Sequence, residues 1–114
     1  MTEFAFTERE ARFLCQVRMG RLATVSSRGE PHVVPVAYEF DGRYIYFGGR
    51  RLSRTLKYRH ISANPSVAFV VDDVVSLSPW RARGLEVRGT AEILQERRVP
   101  YVRITPESKV SWGL

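Results

Sequence analysis

The sequence predicts an α+β fold dominated by antiparallel β-sheet and closed into a small barrel. Three observations predict it. Runs of strand length, apolar or alternating, recur from Arg21 to the C-terminus between turns rich in Gly, Pro and Asp. Only two stretches read as helix, one before the first strand and one in the middle of the chain. The chain has 114 residues, enough for one domain, residues 1–114, with a modest core that short strands enclose best by curling their sheet.

The first helix is announced by Thr7-Glu8-Arg9-Glu10, which fits a capping box. Ala11, Leu14, Cys15 and Arg18 follow at helical spacing, and Met19-Gly20 supplies the expected stop. Cys15, among Phe13, Leu14 and Val17, is expected to be a buried, inert thiol. Leu22 to Val25 is a first strand, and Ser26 to Glu30 is a hairpin loop with its Gly29. Pro31 to Phe40 reads as one second strand. Its Pro35 requires an edge, a bulge or a gap that faces a ligand. Asp41-Gly42 is a strong hairpin signal before a third strand, Arg43 to Phe47.

Ser66 to Asp72 is a fourth strand, apolar enough to be buried on both faces. Asp72 to Arg83 reads as a long loop carrying Pro79 and Trp80. Asp72 and Asp73, too few for a metal site, are expected to face basic residues. Gly84 to Leu94 is a fifth strand, with Leu85 and Val87 on one face and Gly84, Glu86 and Arg88 on the other. Tyr101 to Thr105 is the last strand, followed by a tail from Lys109 that contains Trp112.

Between the third and fourth strands lies GGRRLSRTLKYRHISANP, Gly48 to Pro65. It holds Arg50, Arg51, Arg54, Lys57 and Arg59 and no acid. Glycines admit a ligand close to the backbone, and a hydroxyl residue such as Ser53 at a helix entrance leaves amides that favour anions. With lysine and several arginines added, the simplest target is a phosphate. The same stretch also fits a solvated basic helix capping a barrel. Thr55 and Lys57 share a side only if the chain is extended between them, so the helix should begin near Thr55 or later, or the lysine must reach back.

The net charge of +6 favours an anionic partner without choosing between nucleic acid and a phosphorylated small molecule. No recognised nucleic-acid motif is present, and no nucleic-acid partner is expected. One cysteine permits neither an internal disulfide nor a cysteine-based metal site. No apolar run reaches the length of a membrane span and the acidic N-terminal residues do not look like a signal peptide, so a soluble cytoplasmic protein is expected. No catalytic triad or paired-carboxylate pattern stands out. That suits a cofactor carrying the chemistry while the protein orients it.

The motifs GRLATV, PHVVPVAYEFDG, IYFGG and SRTLKYRHISANPSVAFVVDD, in that order, resemble the pyridoxamine 5'-phosphate oxidase-like split-barrel flavoproteins. PWRARGLEVRGTAEIL and VRITPESKVSWGL resemble the branch that uses the deazaflavin coenzyme F420. The resemblance runs from Gly20 to Leu114. It implies a split β-barrel with flanking helices, a homodimer, and F420 or FMN bound at the dimer interface. The implied function is hydride transfer to a small-molecule substrate; the alternative is a non-enzymatic protein that binds flavin, F420 or heme.

Residue by residue, the resemblance sets His32 to Ala37, including Val34, Pro35 and Val36, beside the flavin-type ring. Gly48 and Gly49 fall near the ribityl chain. Ser53, Thr55 and Lys57 fall at the phosphate, with Arg50 and Arg54 close by. Trp80, Arg83, Gly84 and Trp112 fall where the partner subunit or the C-terminus closes over the cofactor. Each has a plainer role beside it: a solvated lysine, an edge-strand proline, a satisfied strand histidine, a tryptophan that covers a dimer seam. The oxidase itself carries arginine where His32 stands and a longer C-terminal tail, so the resemblance implies a deazaflavin or a loosely bound FMN rather than oxidation of pyridoxamine phosphate.

Overall fold

A computed structural model describes residues 3–114. Helix α1, Glu8–Gln16, starts as the sequence predicts. The Thr7 hydroxyl accepts from the Glu10 amide at 3.1 Å, and the Glu10 carboxylate accepts from the Thr7 amide at 2.8 Å. The helix stops earlier than Met19-Gly20, with Val17 extended as its C-cap. Gly20 instead lies in strand β1, Met19–Val25, because the Phe69 ring covers it: a Cβ there would sit 2.2 Å from the ring. Cys15 is exposed rather than buried, because the helix packs through Glu10, Phe13 and Leu14.

Strand β2, Pro31–Ala37, pairs antiparallel with β1, and a short β3, Glu39–Phe40, follows. The expected single strand is therefore broken at Tyr38. β4, Ile45–Phe47, is shorter than expected, and Asp41 organises the turn before it by accepting from the amides of Arg43 and Tyr44. A 3-10 turn, Leu52–Arg54, leads into α2, Leu56–Ala63. The last strands are β5, Ser66–Leu77, β6, Trp80–Leu94, and β7, Tyr101–Trp112.

The expected loop from Asp72 to Arg83 is thus the far end of a long β5–β6 hairpin. The ladder survives a bulge between Val74 and Ser76 and turns at Ser78-Pro79. Asp73 and Arg83 clasp across it in a two-pronged pair of 2.7 and 2.9 Å, and the guanidinium holds the Asp73 carboxyl below its usual range. Asp72 pairs with Arg21. β7 likewise runs on through the expected tail. Pro106, opposite Gly89, sits at a bulge where a missing amide is tolerated.

The seven strands form one antiparallel sheet in the order β2-β1-β5-β6-β7-β4-β3. Its two edges, β2 and β3, are consecutive in the chain, so the sheet curls until they meet at Tyr38. The result is a barrel split along one seam. Tyr38 pins that corner. Its amide donates to the Arg18 carbonyl, its hydroxyl donates to the Leu14 carbonyl at 2.7 Å, and its ring meets Phe69 edge-on at 5.1 Å. Burial, with a smaller contribution from the Cys15 thiol, pushes the Tyr38 phenol above its usual range and keeps it a donor.

The core fills the barrel with Leu22, Ile45, Phe69, Val71, Leu85, Val87, Val102 and Ile104, and α1 adds Phe13 and Leu14. β5 is not buried on both faces: Val67, Phe69 and Val71 are inside, while Ala68 and Val70 are half-exposed on the outer side. Lys109 of β7 reaches the Glu10 carboxylate and the Ala5 carbonyl, tying the start of the chain and α1 to the sheet. Burial would raise the Glu10 carboxyl, but hydrogen bonds from Lys109, the Thr7 amide and Ser111 outweigh it and hold the group below its usual range.

Candidate functional site

The split corner opens a groove of about 870 Å³ between the end of α1, the Tyr38 corner, the end of β4 and the segment that leads into β7. Ala37, Gly48 and Gly49, all expected to meet a flavin-type cofactor, line it together. The two glycines leave space at the strand end. A Cβ on Gly48 would come only within 3.6 Å of Tyr101, and one on Gly49 would meet nothing within 4 Å. Gly49 has φ +145°, which suits glycine. The basic run begins at the next residue, Arg50.

Helix α2 starts at Leu56, within the expected bounds, but Leu56 and Lys57 are themselves helical, so the chain is extended only at Thr55 and Lys57 would have to reach back to share its side. The cap is Thr55, with extended backbone, whereas Ser53 lies in the 3-10 turn. The Thr55 hydroxyl accepts from the Tyr58 amide at 3.3 Å and donates to the Leu52 carbonyl at 2.6 Å. Its proton is committed, so among these residues Ser53, Lys57, Arg50 and Arg54 are the donors left for a phosphate. Helix geometry leaves the amides of Leu56 and Lys57 without intrahelical acceptors. Ser53, Arg50 and Arg54 are exposed and Lys57 half-buried.

Strand alternation divides the expected ring-side run. His32, Val34 and Val36 stand opposite Thr24, Leu22 and Gly20 and face inward; Val33, Pro35 and Ala37 are exposed on the other side. Pro35 lies on the edge strand β2. His32 meets His60 edge-on at 5.5 Å, and His60 Nδ1 lies 2.9 Å from the Thr24 hydroxyl. The His32 Nδ1 atom is buried without a hydrogen-bond partner. A smaller cavity of about 430 Å³, lined by His32, His60 and Arg59, lies outside it.

The remaining expected residues are also divided. Gly84 faces Trp112 across β6 and β7, and the indole lies over it so closely that a Cβ would be 2.2 Å from the ring. Trp80, Val74, Val110 and Trp112 are exposed on this outer side of the sheet. Arg83 turns the other way, onto Asp73 and the Phe13 ring at 4.8 Å. Within one chain, none of Trp80, Arg83, Gly84 and Trp112 lines the groove. Sequence reasoning missed Arg18, Tyr38 and Arg97, which do line it. Among the described residues, no group of three or more His, Cys, Asp or Glu is placed to hold a metal ion, and no helix is long and apolar enough to cross a membrane.

A sequence profile of the pyridoxamine 5'-phosphate oxidase family matches residues 6–107. The chain belongs to that family. It is 42% identical to a 5a,11a-dehydrotetracycline/5a,11a-dehydrooxytetracycline reductase of Streptomyces rimosus, over 96% of this chain and 84% of the relative. A solved F420 reductase is 27% identical with TM-score 0.74, covering 92% of this chain and 98% of that one. A conserved hypothetical protein of Mycobacterium tuberculosis shares the fold with TM-score 0.80 at 24% identity, covering 99% and 88% of the two chains.

Proposed function

We propose that this family member is an oxidoreductase that binds a deazaflavin or flavin, F420 in preference to FMN, and reduces a small organic substrate. The observation that carries this reading is the meeting of an open, aromatic-walled groove with a basic run at Gly48-Gly49. The likeness to a reductase and to an F420 reductase supports it. Ala37, at the groove edge, would lie beside the ring, Gly48 and Gly49 near the ribityl chain, and Ser53 and Lys57 would hold the phosphate, with Arg50 and Arg54 beyond it. Bound there, the cofactor supplies the hydride. The chain's own residues would orient it at the groove edge and neutralise its phosphate.

The protein acts as a homodimer in this reading. Val74, Leu77, Trp80, Val110 and Trp112 are exposed large apolar residues on β5, β6 and β7, a surface that a second copy would cover. Trp80 and Trp112 would then reach the cofactor from the partner's side.

Lys57→Ala tests the phosphate end. A charge-assisted hydrogen bond contributes about 1.5–3 kcal/mol, so F420 and FMN affinities should each fall about tenfold or more by equilibrium titration. Unchanged affinity would remove Lys57 from the site and leave the arginines as the candidates.

A further inference from the structure

We propose that the groove selects planar organic anions as substrates, with Arg18 and Arg97 holding the negative oxygen. The inference deepens the oxidoreductase reading and rests on it for the reaction, but not for the groove's chemistry. The walls are aromatic: Tyr38, Phe40, Tyr46 and Tyr101. Their three hydroxyls are already committed, Tyr38 to the Leu14 carbonyl, Tyr46 to Asp41 at 2.8 Å and Tyr101 to Glu96 at 3.1 Å. What remains for a ligand is ring surface held in fixed positions, which suits a flat conjugated molecule.

The charge on these walls is unbalanced. Arg18 and Arg97 face the groove together with a single acid, the exposed Glu39. Among the described residues neither arginine has a carboxylate within 4.0 Å, a state they share with most of the chain's arginines; Arg12, Arg21, Arg83, Arg88 and Arg103 are the paired ones. Arg97 is held instead by stacking on Tyr101, its guanidinium carbon 4.2 Å from the ring centroid. Stacking fixes the guanidinium plane and leaves its N–H edge available for a carboxylate, phenolate or enolate oxygen. A neutral ring would pack on the same walls and leave both cations unused.

The test uses the full chain and two probes of similar shape, 3-hydroxy-2-naphthoate and neutral 2-naphthol, titrated calorimetrically with and without saturating F420. The naphthoate should bind at least about tenfold more tightly, the effect of one charge-assisted contact. The double variant Arg18→Gln/Arg97→Gln should erase that preference while keeping the wild-type thermal midpoint and F420 affinity. Equal binding of the two probes, or a preference that survives in the folded double variant, would overturn the inference. Displacement of bound F420 by the naphthoate would also overturn it, by giving the groove to the cofactor, and would leave the cofactor reading intact. A chain that binds no F420 yet keeps the arginine-dependent preference would uphold the groove and sink the oxidoreductase reading.

Discussion

Replacing Phe69 with Ala is expected to lower the unfolding free energy by about 3–5 kcal/mol, the usual loss for removing a buried aromatic. Phe69 lies on β5, between β1 and β6, and is 1% exposed. Its ring fills the space that Gly20 leaves open and supports the Tyr38 ring at the split corner. Small-to-large relief from Gly20 is impossible, so the cavity would persist. Because Tyr38 also walls the groove, ligand binding should weaken along with stability. Urea unfolding at unchanged m-value measures the first effect; a loss below about 1 kcal/mol would mean that the corner repacks freely.

Gly89→Ala should cost about 3 kcal/mol, the upper end of ordinary overpacking. Gly89 sits beside the β6 bulge, where an added Cβ would lie 2.0 Å from the Thr105 carbonyl oxygen and 3.1 Å from Pro106 Cα. These are backbone atoms of the neighbouring strand, so no side-chain rotation relieves the clash, and the β6–β7 ladder must part. Gly48→Ala is the matched control. Its Cβ has ordinary contact at 3.6 Å, and its unfolding midpoint should stay near that of the wild type. Equal midpoints for the Gly89 variant and the control would show that the bulge yields.

The sequence made the helices and most strand centres legible because their signals are local. The Thr7–Glu10 box, the Asp41-Gly42 turn and the extended Thr55 ahead of α2 each depend on neighbours within four residues. Strand ends were less legible, because the β5–β6 hairpin continues through Val74–Trp80 on the strength of cross-strand pairing that composition does not report. Gly20 looked like a helix stop because glycine serves both as a stop and as a seat for a ring, and only the distant Phe69 distinguishes the two. In the candidate site, the strand-end glycines and the basic run were visible as motifs. Arg18, Tyr38 and Arg97 were not, since barrel closure alone brings residues so far apart in sequence to one groove. Alternation also divides residues that sequence reasoning grouped, such as Arg83 and Gly84.

We propose that the groove edge and the basic run together hold a flavin-type cofactor, and F420 above FMN. F420 bears an acidic oligoglutamyl tail beyond its phosphate, and Arg50, Arg51 and Arg54 offer that tail a basic path, aided by a net charge of +6. Equilibrium titration of the purified chain with F420 and with FMN, at low and high salt, tests this most directly. Saturable binding of both is expected, tighter for F420 at low ionic strength, with the difference shrinking as salt screens the exposed arginines. Arg50→Ala/Arg51→Ala should weaken F420 and leave FMN nearly unaffected. FMN binding as tightly as F420 at low salt, or a double variant that weakens both alike, would contradict the preference; saturable binding of neither would show that the groove edge and the basic run hold no flavin-type cofactor.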